Sequence, residues 1–128
     1  MSDSNKKILI VEDEPSMVKV LSDKFLREGF LVSTAKNGEE GLASALREHP
    51  DLMLLDIVMP KMSGLEVMEK LRTDEWGKTA AIILLTNLSP DDKTLKKIEK
   101  FEPTYYFVKA DMNINDLVAK VRGRLGLN

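Results

Sequence analysis

Apolar runs of strand length recur five times along the chain, at Lys7 to Val11, Leu31 to Ala35, Leu52 to Asp56, Ala81 to Thr86 and Tyr105 to Lys109. Between them apolar residues return at helical spacing, as in Val18, Leu21 and Phe25, then Leu65, Met68 and Leu71, then Ile114, Leu117, Val118 and Val121. Strand and helix therefore alternate. Gly29 follows the first helix, Asn37-Gly38 opens the second, Gly77 follows the third, and Ser89-Pro90-Asp91 opens the fourth. The runs LMLL and AIILL are nearly continuous rather than alternating, which indicates strands buried on both faces. The pattern predicts an α/β fold, a parallel sheet covered by helices through right-handed crossovers.

A length of 128 residues fits one domain, taken as 1–128 with a core of about residues 6–126 and no effector domain. Hydrophobic residues at 43% and charged residues at 31% argue against a disordered or membrane protein. The longest apolar run, Ala80 to Leu85, is too short to span a bilayer, and Glu12 and Asp13 interrupt the only N-terminal candidate for a signal peptide. The absence of cysteine excludes disulfides and thiolate metal sites, and the expected compartment is the cytoplasm. A net charge of -2 gives no general attraction to nucleic acid. Lys93, Lys96, Lys97 and Lys100 are interleaved with Asp91, Asp92 and Glu99, and read as a solvated helix face.

In an open parallel sheet, ligands gather beyond the carboxyl ends of the strands. The first strand runs into Glu12-Asp13-Glu14, the third ends at Asp56, the fourth at Thr86 and the fifth at Lys109. Neither GxGxxG nor GxxxxGK[ST] occurs, so the glycine-rich cradle of a nucleotide site is missing. Converging carboxylates instead favour a hard cation with oxygen ligands, Mg²⁺ rather than Zn²⁺, with Mn²⁺ as a substitute. With Lys109 and Thr86 opposite, the set suits in-line phosphoryl transfer to a carboxylate, Asp56 acting as nucleophile.

The segments ILIVEDE, LLDIVMPKMSG, IILLTN and YYFVK closely resemble, in order, the acidic pair, phosphoacceptor segment, threonine strand and lysine strand of response-regulator receiver domains. The resemblance covers almost the whole chain. It implies a doubly wound, flavodoxin-like sheet of strand order 2-1-3-4-5 with five helices, and a phosphoacceptor signalling domain rather than an enzyme with an external substrate. It further implies Asp56 as phosphoacceptor, and Asp13, Asp56 and the backbone carbonyl of Val58 as Mg²⁺ ligands, with Glu12 acting through water. Thr86 and Lys109 would contact the phosphoryl group, and Tyr106 would hold the place of an aromatic switch. The implied donor is a phosphohistidine on a sensor histidine kinase or histidine phosphotransfer protein. The implied output face comprises helix four, strand five and helix five, with neither nucleic acid nor membrane as a direct partner.

Each residue also has a plainer reading. Acids at strand ends often only solvate loops, a terminal lysine often snorkels, and Tyr106 suits a fixed, half-buried position as well as a moving one. His49 precedes Pro50 in a polar turn and is expected to be exposed, and Met59-Pro60 with Gly64 should shape the loop after Asp56. Where the family usually has proline after the lysine, this chain has Ala110, so a trans Lys109–Ala110 bond is expected. Asn87 replaces a very small residue after Thr86, and Asp111 adds a negative charge near Lys109. Neither Val58 nor Leu88 can hydrogen-bond a hydrolytic water, so a long-lived phosphorylated state is expected. Val58 also lacks the acid that a related phosphohydrolase would want two residues past its nucleophile. The competing function is a phosphorylation-independent interaction domain of the same fold.

Overall fold

A computed structural model describes residues 6–87 and 91–127. Lys7–Val11 (β1), Leu31–Ala35 (β2), Leu52–Asp56 (β3), Ile82–Thr86 (β4) and Tyr105–Val108 (β5) form one sheet in the order β2-β1-β3-β4-β5, every pair parallel. Crossovers run through Pro15–Arg27 (α1), Gly38–Glu48 (α2), Gly64–Arg72 (α3) and Asp92–Phe101 (α4), and Ile114–Arg124 (α5) closes the order. This is the expected flavodoxin-like arrangement. Two strand limits differ from the sequence reading: Ala81 precedes β4, and Lys109 leaves β5 for a 3-10 turn over Lys109–Asp111.

Alternation along the strands divides the core into two layers. Leu9, Val11, Met53, Leu55, Ile82 and Leu84 face the side filled by Ala45, Val67, Met68, Leu71 and Ile98 from α2, α3 and α4. Ile8, Ile10, Leu52, Leu54, Ile83 and Leu85 face Leu21 and Phe25 of α1 and Leu117, Val118 and Val121 of α5. Central strands β3 and β4 are buried throughout, which explains their unbroken apolar runs, and burying one such side chain contributes about 1.5–3 kcal/mol.

Helix starts follow the punctuation. Pro15 begins α1, Asn37 caps α2 by accepting the Glu40 N–H, and Ser63 and Glu66 form a reciprocal capping box on α3. Asp91 caps α4; Ser89 and Pro90, expected to help open it, lie outside the described residues. Gly29 takes φ 94° beyond α1, a left-handed turn suited to glycine. Gly77 does not cap α3, which stops at Arg72; it begins a 3-10 turn over Gly77–Thr79, where its backbone packs on the Leu71 carbonyl. The four lysines of the helix-four segment are exposed, as is His49, whose ring stacks on Trp76 at 4.6 Å between centroids. No peptide bond among the described residues is cis, so Lys109–Ala110 is trans as expected.

Candidate functional site

Strand register assembles the site. Val11 pairs with Leu55, so Glu12 and Asp56 leave the sheet side by side. Asp56 pairs with Leu85, placing Thr86 one step further along the neighbouring strand, and Thr86 pairs with Val108, next to Lys109. Four residues that are 97 positions apart at the extremes thus meet at one edge.

Glu12, Asp13 and Asp56 each offer a carboxylate oxygen within 4.8 Å of the others. Glu12, Asp56 and Thr86 are buried and Asp13 is exposed, so the cluster opens to solvent on the Asp13 side. The Lys109 ammonium, its side chain only 7% exposed, donates to Glu12 Oε1 and lies 3.2 Å from Asp56 Oδ2. Glu12 Oε2 accepts the Glu14 N–H at 3.1 Å, which fixes the side chain's direction. Asp56 Oδ1 is buried and has no hydrogen-bond partner among the described residues. One ammonium therefore pairs with two carboxylates of a cluster of three.

Burial pushes the Asp56 carboxyl above the usual carboxylate range, and the nearby Lys109 charge and hydrogen bond offset this only in part. Glu12 is raised for the same reason, with Asp56 adding repulsion and Lys109 and the Glu14 N–H opposing. For Lys109, burial works against the charged form, but the Glu12 hydrogen bond and both carboxylate charges outweigh it and raise its pKa. A divalent cation meets the needs of this cluster: it supplies charge that one lysine does not, and Asp56 Oδ1 supplies an unengaged hard oxygen. The donor set thus fits Mg²⁺.

The loop after Asp56 is shaped as its residues suggested. Gly64 donates its N–H to the Ile57 carbonyl at 2.8 Å, and a Cβ there would overlap the Asp56 carbonyl oxygen. Val58 stands at 64% exposure just beyond Asp56. Leu88, its expected companion at the rim, lies outside the described residues. Tyr106 is 42% exposed on β5, and Tyr105 beside it lies under the Lys120 ammonium at 4.8 Å. Sequence reasoning paired Lys109 with phosphoryl oxygens and missed its bond to Glu12, which no local pattern signals.

Comparison with known proteins agrees with this geometry. Residues 8–122 match the response regulator receiver domain family. The chain is 50% identical over 68 residues to the alkaline phosphatase synthesis transcriptional regulatory protein PhoP of Bacillus subtilis, covering 53% of this chain and 28% of that protein. It is 34% identical over 125 residues to the probable transcriptional regulator ycf27 of Cyanophora paradoxa, covering 98% of this chain and 50% of that one. The chain thus spans half or less of the length of these relatives. Among solved structures, the response regulator TrrA of Thermotoga maritima in complex with Mg²⁺ and BeF shares 39% identity at a TM-score of 0.81, covering 93% of this chain and 98% of that one. A CheY-like receiver domain protein of Methanospirillum hungatei shares 28% identity at a TM-score of 0.86, covering 94% of each. With the family matched across nearly its whole length, the five-stranded order in place and an acidic pocket at the strand ends, the chain belongs to the response regulator receiver domains, signalling modules of two-component systems rather than conventional enzymes.

Proposed function

We propose that residues 1–128 act as a single cytoplasmic receiver domain in which Asp56 accepts a phosphoryl group from a phosphohistidine and thereby changes partner binding. The observation that carries this reading is the state of Asp56: a buried carboxylate held by Lys109 through Oδ2, with Oδ1 unengaged inside an acidic cluster that opens to solvent at Asp13. An Asp56 oxygen forms the new O–P bond as the P–N bond of the donor breaks; the electron pair stays on the imidazole nitrogen, which takes up a proton. Lys109 balances negative charge on the phosphoryl oxygens, and the Thr86 hydroxyl donates to one of them. Asp13, Asp56 and the Val58 carbonyl, with Glu12 acting through water, would hold Mg²⁺, which would supply further positive charge to those oxygens. Mn²⁺ has the same preference for oxygen ligands and would substitute.

The donor class follows from the family and from similarity to the hybrid signal transduction histidine kinase D of Dictyostelium discoideum, 34% identical over 114 residues. A sensor histidine kinase or a histidine phosphotransfer protein is the expected partner. Exposed Tyr105 and Tyr106 support α4, β5 and α5 as the output face, with Tyr106 as its switch residue. No helix among the described residues is long and apolar enough to cross a membrane.

The deciding experiment is intact-mass analysis after incubation with an acyl phosphate and Mg²⁺. Wild type should gain one phosphoryl group, located by peptide mapping at Asp56, and Asp56→Asn should gain none. Wild type that remains unmodified, by this donor and by a phosphorylated histidine kinase, would leave the phosphorylation-independent interaction domain as the function.

A further inference from the structure

The first turn of α2 abuts the loop that leaves Asp56. A Cβ on Gly38 would overlap the Met62 carbonyl oxygen and lie 2.7 Å from both the carbonyl carbon and Cβ of Met62. Backbone cannot rotate aside as a flexible side chain can, so adding that one carbon forces either the helix or the loop to move.

The surroundings decide which moves. The helix start is fixed: the Asn37 side chain accepts the Glu40 N–H at 2.9 Å and donates to the Glu40 carboxylate at 3.2 Å. One turn on, α2 is seated hard on β1, where a Cβ on Gly41 would stand 2.6 Å from Val11 Cγ1. The far end of the loop is also held, by the bond from Gly64 to Ile57 and by the Ser63 cap of α3. Between these anchors Val58, Pro60 and Lys61 are exposed, and Lys61 takes φ 70°. Residues 58–62 are therefore the part that yields.

We infer that Gly38 is a positioning residue for the Asp56 site: its missing side chain lets the Met62 carbonyl rest on the start of α2, and this contact sets where the loop holds the Val58 carbonyl. The inference rests on the reading of Asp13, Asp56 and the Val58 carbonyl as the Mg²⁺ ligands. A ligand carbonyl displaced by a fraction of an ångström loses much of its value to Mg²⁺, which demands near-octahedral geometry.

The test is a Mg²⁺ titration of the isotopically labelled protein, followed by amide chemical shifts around Asp13, Asp56 and Val58, for wild type, Gly38→Ala and Gly77→Ala. Gly77→Ala is a matched control, because its Cβ would also overlap a backbone carbonyl, that of Leu71, but at the opposite end of the sheet. Both variants should melt at lower temperature. Only Gly38→Ala should raise the Mg²⁺ Kd, by about tenfold. Should Gly38→Ala not fold, Asn37→Ala takes its place: it loosens the wall without adding bulk, and should raise the Kd by a smaller factor. Wild type that binds no Mg²⁺ overturns the metal reading and this inference with it. Wild type that binds, beside a Gly38→Ala or substitute Asn37→Ala protein that binds equally well, overturns this inference alone.

Discussion

Lys109 lies 3.2 Å from Asp56 Oδ2, while Oδ1 of the same carboxylate is buried without a hydrogen-bond partner among the described residues. Burial holds the Asp56 carboxyl above its ordinary range, so in this window the folded chain binds the proton more tightly than the unfolded chain. Stability is then lost as pH rises through the folded value and regained as pH falls through it. Asp56→Asn removes the charge and leaves Lys109 paired with Glu12. In EDTA near neutral pH it should raise the unfolding free energy, measured by urea denaturation. A less stable variant would show that Asp56 is a net structural asset, contrary to this electrostatic account.

Val58, two residues past Asp56, is exposed, and its side chain offers nothing to a water approaching the phosphorus in line. Hydrolysis of the phosphorylated form should accordingly be slow. Val58→Asn adds a donor and an acceptor there and should speed it several-fold in Mg²⁺ buffer, read as loss of the phosphorylated mass with time. Equal decay rates would remove Val58 from any account of lifetime.

Far from the site, burial opposes ionisation of Glu48, but the Ser33 hydroxyl at 2.8 Å and the Lys7 ammonium at 3.4 Å outweigh it and hold the carboxyl below its ordinary range. A depressed folded pKa gives stability that is present above the unfolded value and lost as pH falls through the folded one. Glu48→Gln should therefore cost about 0.5–1 kcal/mol near neutral pH and progressively less in acid, by denaturant unfolding at a series of pH values. A cost that does not vary with pH would assign the loss to packing.

Arg72, the last residue of α3, donates to the carbonyls of Phe101 and Gly77 at 2.7 Å and of Ala80 and Glu102 at 3.0 Å. Arg72→Ala leaves these carbonyls short of donors and should destabilise by about 2–4 kcal/mol. Arg72→Lys should recover little, since an ammonium cannot reproduce the planar fork. A lysine variant as stable as wild type in urea would show that charge alone suffices.

The sheet was legible because its signals are local: β1, β2 and β3 begin and end with their apolar runs, and buried β3 and β4 need no polar alternation. Ala81 misled because its carbonyl accepts the Met53 N–H from just outside the strand, and Lys109 because an extended run gives no warning of a 3-10 turn. Asp56, Glu12 and Asp13 were readable as acids where strands end. The Arg72 fork, the His49–Trp76 stack and the contact of Gly38 with Met62 were not, since each joins elements whose approach depends on the completed fold.

That same Arg72 fork gives α4 an uneven attachment. Two of its bonds grip the Phe101 and Glu102 carbonyls at the foot of the helix, and among the described residues of α4 only Ile98, in its last turns, is buried. Ten residues make a rod about 15 Å long, so a tilt of about 10° about Glu102 carries the Asp91 end roughly 2.5 Å while the foot stays still. Such a lever multiplies displacement toward its tip.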